Sequence, residues 1–120
     1  MELSLCMISI KVNDVEKAVK FYCDGLGFNL EKNYGENIVE LSFDGHSIIL
    51  EKAEKENTLN YFENAQTVLG IRSNDLPADM KELQERGIEL LFKEPQKCPP
   101  GIFNVIQDPF GNHIEILEFQ

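Results

Sequence analysis

Ile10-Lys11-Val12-Asn13-Asp14-Val15 reappears later in the chain as Ile71-Arg72-Ser73-Asn74-Asp75-Leu76. Both copies follow an apolar stretch and precede a segment of helical period. A repeat of this kind confines the chain to two versions of one supersecondary unit. In the first copy Val15, Ala18, Val19 and Tyr22 recur at helical spacing and share one face. Asn13 or Asp14 caps the start, Glu16 suits the positive end of the helix dipole, and Gly25 or Gly27 ends the helix. In the second copy Leu76, Met80 and Leu83 form the stripe, Pro77 falls in the first turn and Gly87 closes it.

Strand patterns follow each helix. Phe28 to Lys32, Ile38 to Phe43 and Ser47 to Lys52 form one set, punctuated by Tyr34-Gly35-Glu36-Asn37 and Asp44-Gly45. Ile88 to Lys93, Ile102 to Gln107 and His113 to Phe119 form the other, separated by a Pro- and Gly-containing loop (Glu94 to Gly101) and by Asp108-Pro109-Phe110-Gly111-Asn112. The apolar opening, Leu3 to Val12, reads as the first strand. Each half is therefore βαβββ within a single domain, module one at about 1–60 and module two at about 65–120, with the boundary near Ala53 to Gln66. Ala53 to Asn64 is polar enough to be a linker. One helix covers one face of each sheet, so the opposite faces must cover each other or enclose something.

The chain has 120 residues, 42% hydrophobic and 27% charged, which is ordinary globular composition and enough for one core. No apolar run approaches the roughly 20 residues of a membrane span, and the N-terminus lacks the pattern of a signal peptide. Cys6, Cys23 and Cys98 have no metal-ligand spacing and read as free thiols in a reducing compartment, which places the protein in the cytoplasm. Eleven basic and twenty-one acidic side chains give a net charge of -10. That field disfavours nucleic acid and anionic ligands and tolerates neutral or cationic ones, besides maintaining solubility.

Three stretches resemble the vicinal oxygen chelate superfamily, which comprises the glyoxalase, bleomycin-resistance and extradiol-dioxygenase proteins. These are Asn13-Asp14-Val15-Glu16-Lys17-Ala18-Val19-Lys20-Phe21-Tyr22, Gly25-Leu26-Gly27-Phe28 and Asp108-Pro109-Phe110-Gly111-Asn112-His113-Ile114-Glu115-Ile116-Leu117. With the duplicated order they are specific for the fold, though not for one activity. The resemblance implies an α+β fold in which two tandem βαβββ modules form a partly open barrel-like sheet around a cavity. It also implies a homodimer, since modules of this family pair within or between chains.

Metal-using members of that family place one ligand in the first strand and one in the last strand of each module, commonly His, Glu or Gln. At the first-strand positions this sequence has Met7 and Val68, neither a credible ligand for zinc, nickel, manganese or iron. At the last-strand positions Glu115 stands where the family has its carboxylate, and Glu51 is the nearest candidate in module one. If any metal binds, Glu51 and Glu115 hold it. Two carboxylates without imidazole support a weak Mg²⁺ or Ca²⁺ site at most, and the expectation is that no catalytic metal is bound.

Alternation places Met7, Ser9 and Lys11 on the face away from the first helix, with Ile49 and Glu51 on one common face. In module two Val68, Gly70 and Arg72 line the corresponding face, joined by Phe103 or Asn104 according to register. Gly70 makes room for a ligand or marks a bulge. His113 shares the face of Glu115, as a ligand contact or a turn-stabilising group. Such a lining suits a small-molecule pocket and equally an ordinary core. Burial of an unmetallated Glu115 would raise its pKa, suiting a catalytic proton-transfer role or an anchor for a cation. His46 reads as exposed. Cys98 borders the cavity in related folds but has no obvious base beside it.

The functional expectation is a metal-free small-molecule binder that sequesters a small, cationic compound. The alternative is a metal-dependent glyoxalase-like lyase or isomerase, or a dioxygenase, with a divergent metal site. A vestigial subunit or regulator is the third.

Overall fold

Chain direction is set first by the two Asn-Asp entries. The computed structural model describes residues 1–55, 60–65 and 67–120, and the chain divides into two compact units, Met1–Glu56 and Asn57–Gln120. The module boundary read from the sequence falls partly on residues outside those described.

In the first unit β1 (Ile8–Val12) leads to Asp14, whose extended backbone and carboxylate, accepting from the Lys17 N–H at 3.0 Å, start α1 (Val15–Val19). The helix passes into a π-helical stretch, Lys20–Gly25, and the turn is made by Gly27 at φ +83 rather than by Gly25. The Phe28 N–H then donates to the Tyr22 carbonyl, which returns Phe28 to the helix. Its ring lies 5.4 Å from Tyr22 and stacks at 4.2 Å on Phe43. Three strands follow, β2 (Asn29–Asn33), β3 (Ile38–Phe43) and β4 (His46–Lys52). Asp44 and Gly45, both at positive φ, join β3 to β4 in the tight turn that hairpins favour. The order is β1-β4-β3-β2, with β1 parallel to β4 and the other pairs antiparallel.

Val12, Val39, Leu41, Ile48 and Leu50 bury the helix-facing side of this sheet with Val15, Ala18 and Tyr22. At roughly 25 cal/mol per Å² of apolar surface removed from water, burial of this face favours folding of the unit. The apolar opening is a strand only from Ile8 onward. Ile8 pairs with Ile48, and β4 begins at His46 just after the turn, so little strand remains for Leu3 and Leu5 to pair with. Both are exposed.

The second unit repeats this plan. Asp75 caps α2 (Leu76–Glu85) after β5 (Leu69–Arg72), accepting from the Ala78 N–H at 3.2 Å. Pro77 sits in the first turn and Gly87, at φ +79, ends the helix. Glu118 holds the helix start to the sheet by accepting from the Leu76 N–H at 2.7 Å, and this bond keeps its carboxyl below the usual range. The remaining strands are β6 (Gln96–Cys98), β7 (Gly101–Gln107) and β8 (His113–Phe119), in the order β5-β8-β7-β6 with β5 parallel to β8.

Here the strand expected at Ile88 to Lys93 is absent, and the edge strand lies inside the expected loop Glu94 to Gly101. Asn104 is the physical reason. Its side chain is fully buried, accepts from the Phe92 N–H at 3.2 Å and donates to the Phe92 carbonyl at 2.9 Å. With both backbone groups of Phe92 taken by a side chain, only the Leu90–Ile106 bridge forms beside β7. The chain reaches β7 again at Gln96, and Pro99-Pro100 turns it tightly between Cys98 and Gly101. Gly101 is required there, because a Cβ would collide with the Glu118 carbonyl oxygen. The motif Asp108-Pro109-Phe110-Gly111-Asn112 is a turn closed by Asp108, whose carboxylate accepts from the Phe110 and Asn112 N–H groups.

The architecture is α+β, two four-stranded mixed sheets each carrying one helical segment, and neither sheet closes on itself. No helix among the described residues is long and apolar enough to cross a membrane.

Candidate functional site

The strand registers decide which candidates share a face. In the first unit Ser9, Lys11, Ile49 and Glu51 lie opposite the helix, since Ser9 pairs with Ile49 and Lys11 with Glu51. The Lys11 ammonium donates to Glu51 Oε2 at 2.6 Å, and the Ser9 hydroxyl approaches the same oxygen at 3.5 Å. The hydrogen bond and charge of Lys11 hold the Glu51 carboxyl below its ordinary range. Met7 lies outside β1 and is 47% exposed.

Because the folded pKa of Glu51 is depressed, this pair favours the folded state above the unfolded carboxyl pKa, and the contribution fades as pH falls through the folded value. Lys11→Met is therefore expected to move the Glu51 titration upward, measured by carboxyl-carbon NMR. An unchanged midpoint would show that the ammonium does not govern this carboxylate. The thermal midpoint should barely change, since both groups are well exposed.

In the second unit Gly70, Arg72, Phe103, Val105, His113, Glu115 and Leu117 share the face opposite α2. Gly70 and Val105 both pair with Glu115, Arg72 and Phe103 with Leu117, and His113 stands two residues before Glu115. Phe103, not Asn104, is therefore the β7 contributor. Gly70 sits in continuous register and marks no bulge. A Cβ there would meet the Leu117 side chain at 3.4 Å, an ordinary contact, so the position does not demand glycine. The Arg72 guanidinium stacks 4.7 Å above the Phe119 ring. Val68 lies just before β5, and Cys98 shares the face of Gly101 at the sheet's edge.

Sequence reasoning missed the partner of Glu115. Tyr61, in the segment read as a polar linker, donates its hydroxyl to Glu115 Oε1 at 2.5 Å. Burial, this bond and the Glu115 charge push the phenol up to about 12, so it is a protonated donor near neutrality. Its ring lies 5.8 Å from His113, whose Nδ1 is buried and has no hydrogen-bond partner among the described residues. An edge-to-face row runs from Tyr61 through Phe62 (5.2 Å) and Phe92 (6.0 Å) to Phe103 (5.9 Å). Phe62 is 70% exposed. Adjacent Tyr61 and Phe62 in a polar stretch were the signal available in the sequence.

The donor set does not fit the family's metal centre. Met7 is a soft, exposed thioether and Val68 has no donor atom, while Glu51 is engaged by an ammonium and Glu115 by a phenol. Among the described residues no group of three or more His, Cys, Asp or Glu side chains could hold a metal ion.

Two βαβββ units in tandem, each entered through Asn-Asp, define a glyoxalase-like scaffold. The chain belongs to the Glyoxalase/Bleomycin resistance protein/Dioxygenase superfamily, which it matches over residues 4–116. It is 27% identical over 118 residues to the Synechocystis protein named "Probable lactoylglutathione lyase", covering 91% of this chain and 90% of that protein. TnmS3, an antibiotic binding protein from Streptomyces sp. CB03234, superposes with a TM-score of 0.72 at 26% identity, covering 100% of this chain and 99% of that one. The fosfomycin resistance protein FosX of Listeria monocytogenes shares the fold, with a TM-score of 0.79 at 15% identity over 100% of this chain and 94% of its own.

Proposed function

We propose that this protein binds and sequesters a small planar cationic compound and uses no catalytic metal. The observation that carries this reading is the Glu115 carboxylate at the end of an aromatic row on one sheet face. A carboxylate beside aromatic surface suits a ligand that is apolar in its body and positive at one end. The net charge of -10 points the same way. The likeness to an antibiotic-binding protein supports small-molecule binding. The same proposal includes a homodimer, checked by sedimentation equilibrium, and a cytoplasmic location, in keeping with three free cysteines.

The test is thermal unfolding with a panel of aromatic cations, their neutral analogues, and Ni²⁺, Zn²⁺, Mn²⁺ or Fe²⁺. A binder at a hundredfold its Kd should add about 2.7 kcal/mol to stability. Aromatic cations are expected to stabilise the protein, and the metals are not. No stabilisation by any organic cation would end the binding reading, and stabilisation by a metal alone would favour a divergent metalloenzyme.

A further inference from the structure

The contact between Tyr61 and Glu115 satisfies the carboxylate beside a histidine whose Nδ1 has no partner among the described residues. Tyr61 reaches the sheet from the connecting segment, where Asn60 and Asn64 organise a local turn: the Phe62 N–H donates to Asn60 Oδ1 at 2.9 Å, and the Asn64 N–H to the Asn60 carbonyl at 3.0 Å. The ring that delivers the hydroxyl to Glu115 lies against His113, and His113 Nδ1 is buried without a partner among the described residues. A buried nitrogen left unbonded carries a real cost in free energy. The favoured bond and the unbonded nitrogen thus belong to residues that both meet the Tyr61 side chain.

A different donor resolves both. The phenol brings a neutral O–H to a carboxylate. An amidinium or guanidinium brings a planar cation with several N–H groups, charged on its own side of the bond and able to engage a carboxylate bidentately. Such a group outcompetes a phenol for Glu115 and has N–H groups to spare for an acceptor nearby. The aryl body of the ligand would lie along Phe62, Phe92 and Phe103. Arg72, the cation on the same face, is stacked on Phe119.

Resting on the ligand-binding reading above, we propose that Tyr61 is a resident competitor in this site. Its hydroxyl holds the place on Glu115 that an N–H of an aryl amidine or guanidine takes, and a second N–H of the cation is offered to the imidazole of His113, two residues along on the same face. Tyr61 thereby sets specificity. Neutral or weakly donating ligands fail to displace it, while planar N–H-rich cations succeed.

Calorimetric titration with 2-naphthamidine, on the wild type and on Tyr61→Phe, tests this. The variant keeps the ring and removes only the competing hydroxyl. It is expected to bind about tenfold more tightly than the wild type, the scale of one hydrogen bond to a charged group. Neutral 2-naphthamide should bind neither protein. Unchanged or weaker binding by Tyr61→Phe overturns the competitor role while leaving the ligand-binding reading intact. No binding by either protein overturns the competitor role, and the cation panel above then decides the ligand-binding reading. If the variant does not fold, the Tyr61 Cζ resonance of the wild type decides. Added 2-naphthamidine should shift it to that of a phenol released from a carboxylate, and a resonance that stays put under saturating ligand overturns the proposal.

Discussion

Asn104→Ala is expected to destabilise the second unit by about 3 kcal/mol, because it strips partners from Phe92 and Val105 together. The Asn104 side chain also accepts from the Val105 N–H at 2.8 Å and places its amide 3.5 Å from the Met80 sulfur of α2. Truncation leaves the Phe92 N–H and carbonyl without these bonds and opens a small void under the helix. Urea denaturation measures the loss. Hydrogen exchange should show the Leu91 and Phe92 amides released ahead of those in β7 and β8. A loss under 1 kcal/mol would mean that water or a shifted backbone replaces the bonds, and that Asn104 does not determine why Ile88 to Lys93 leaves the sheet.

Glu115→Gln should weaken binding of a planar aromatic cation by about a hundredfold, the range of a charge-assisted hydrogen bond. The amide preserves shape and can still accept from Tyr61, so the free protein should melt near the wild-type temperature. That separation makes the result informative, because lost affinity would come from lost charge rather than lost fold. A change below threefold would show that the cation is held elsewhere. Glu51→Gln is a useful contrast, since Lys11 already neutralises Glu51.

Much of the fold was legible because the repeat is written in residues with local mechanisms. Asp14 and Asp75 cap, Gly27 and Gly87 turn, and Asp44-Gly45 makes a hairpin, each through an interaction a few residues long. Alternation likewise put Ser9 with Glu51 and Gly70 with Glu115 on common faces. Edge strands were the failure. A run such as Ile88 to Lys93 has strand composition, but Asn104, far along the chain, takes the backbone groups that a neighbouring strand would have used. Leu3 and Leu5 failed similarly, since the reach of β4 decides where β1 begins. In the candidate site, Glu115 and His113 were singled out through their motif. Tyr61 was not, because a long-range side-chain bond leaves no periodicity in the sequence of the segment that supplies it.

The parallel pairing of β1 with β4, and of β5 with β8, carries a consequence for biosynthesis. Each unit's opening strand lies at one edge of its sheet, and its ladder partner there is the last strand of the unit to be made. During translation β1 must wait for Lys52, and β5 must wait for residues beyond His113, before either gains a ladder partner. Nascent halves therefore carry helix and hairpin but an unpaired leading strand, and docking of that strand closes a long loop late. The first unit can finish while the second is still emerging, so the duplication that defines the architecture also staggers its assembly.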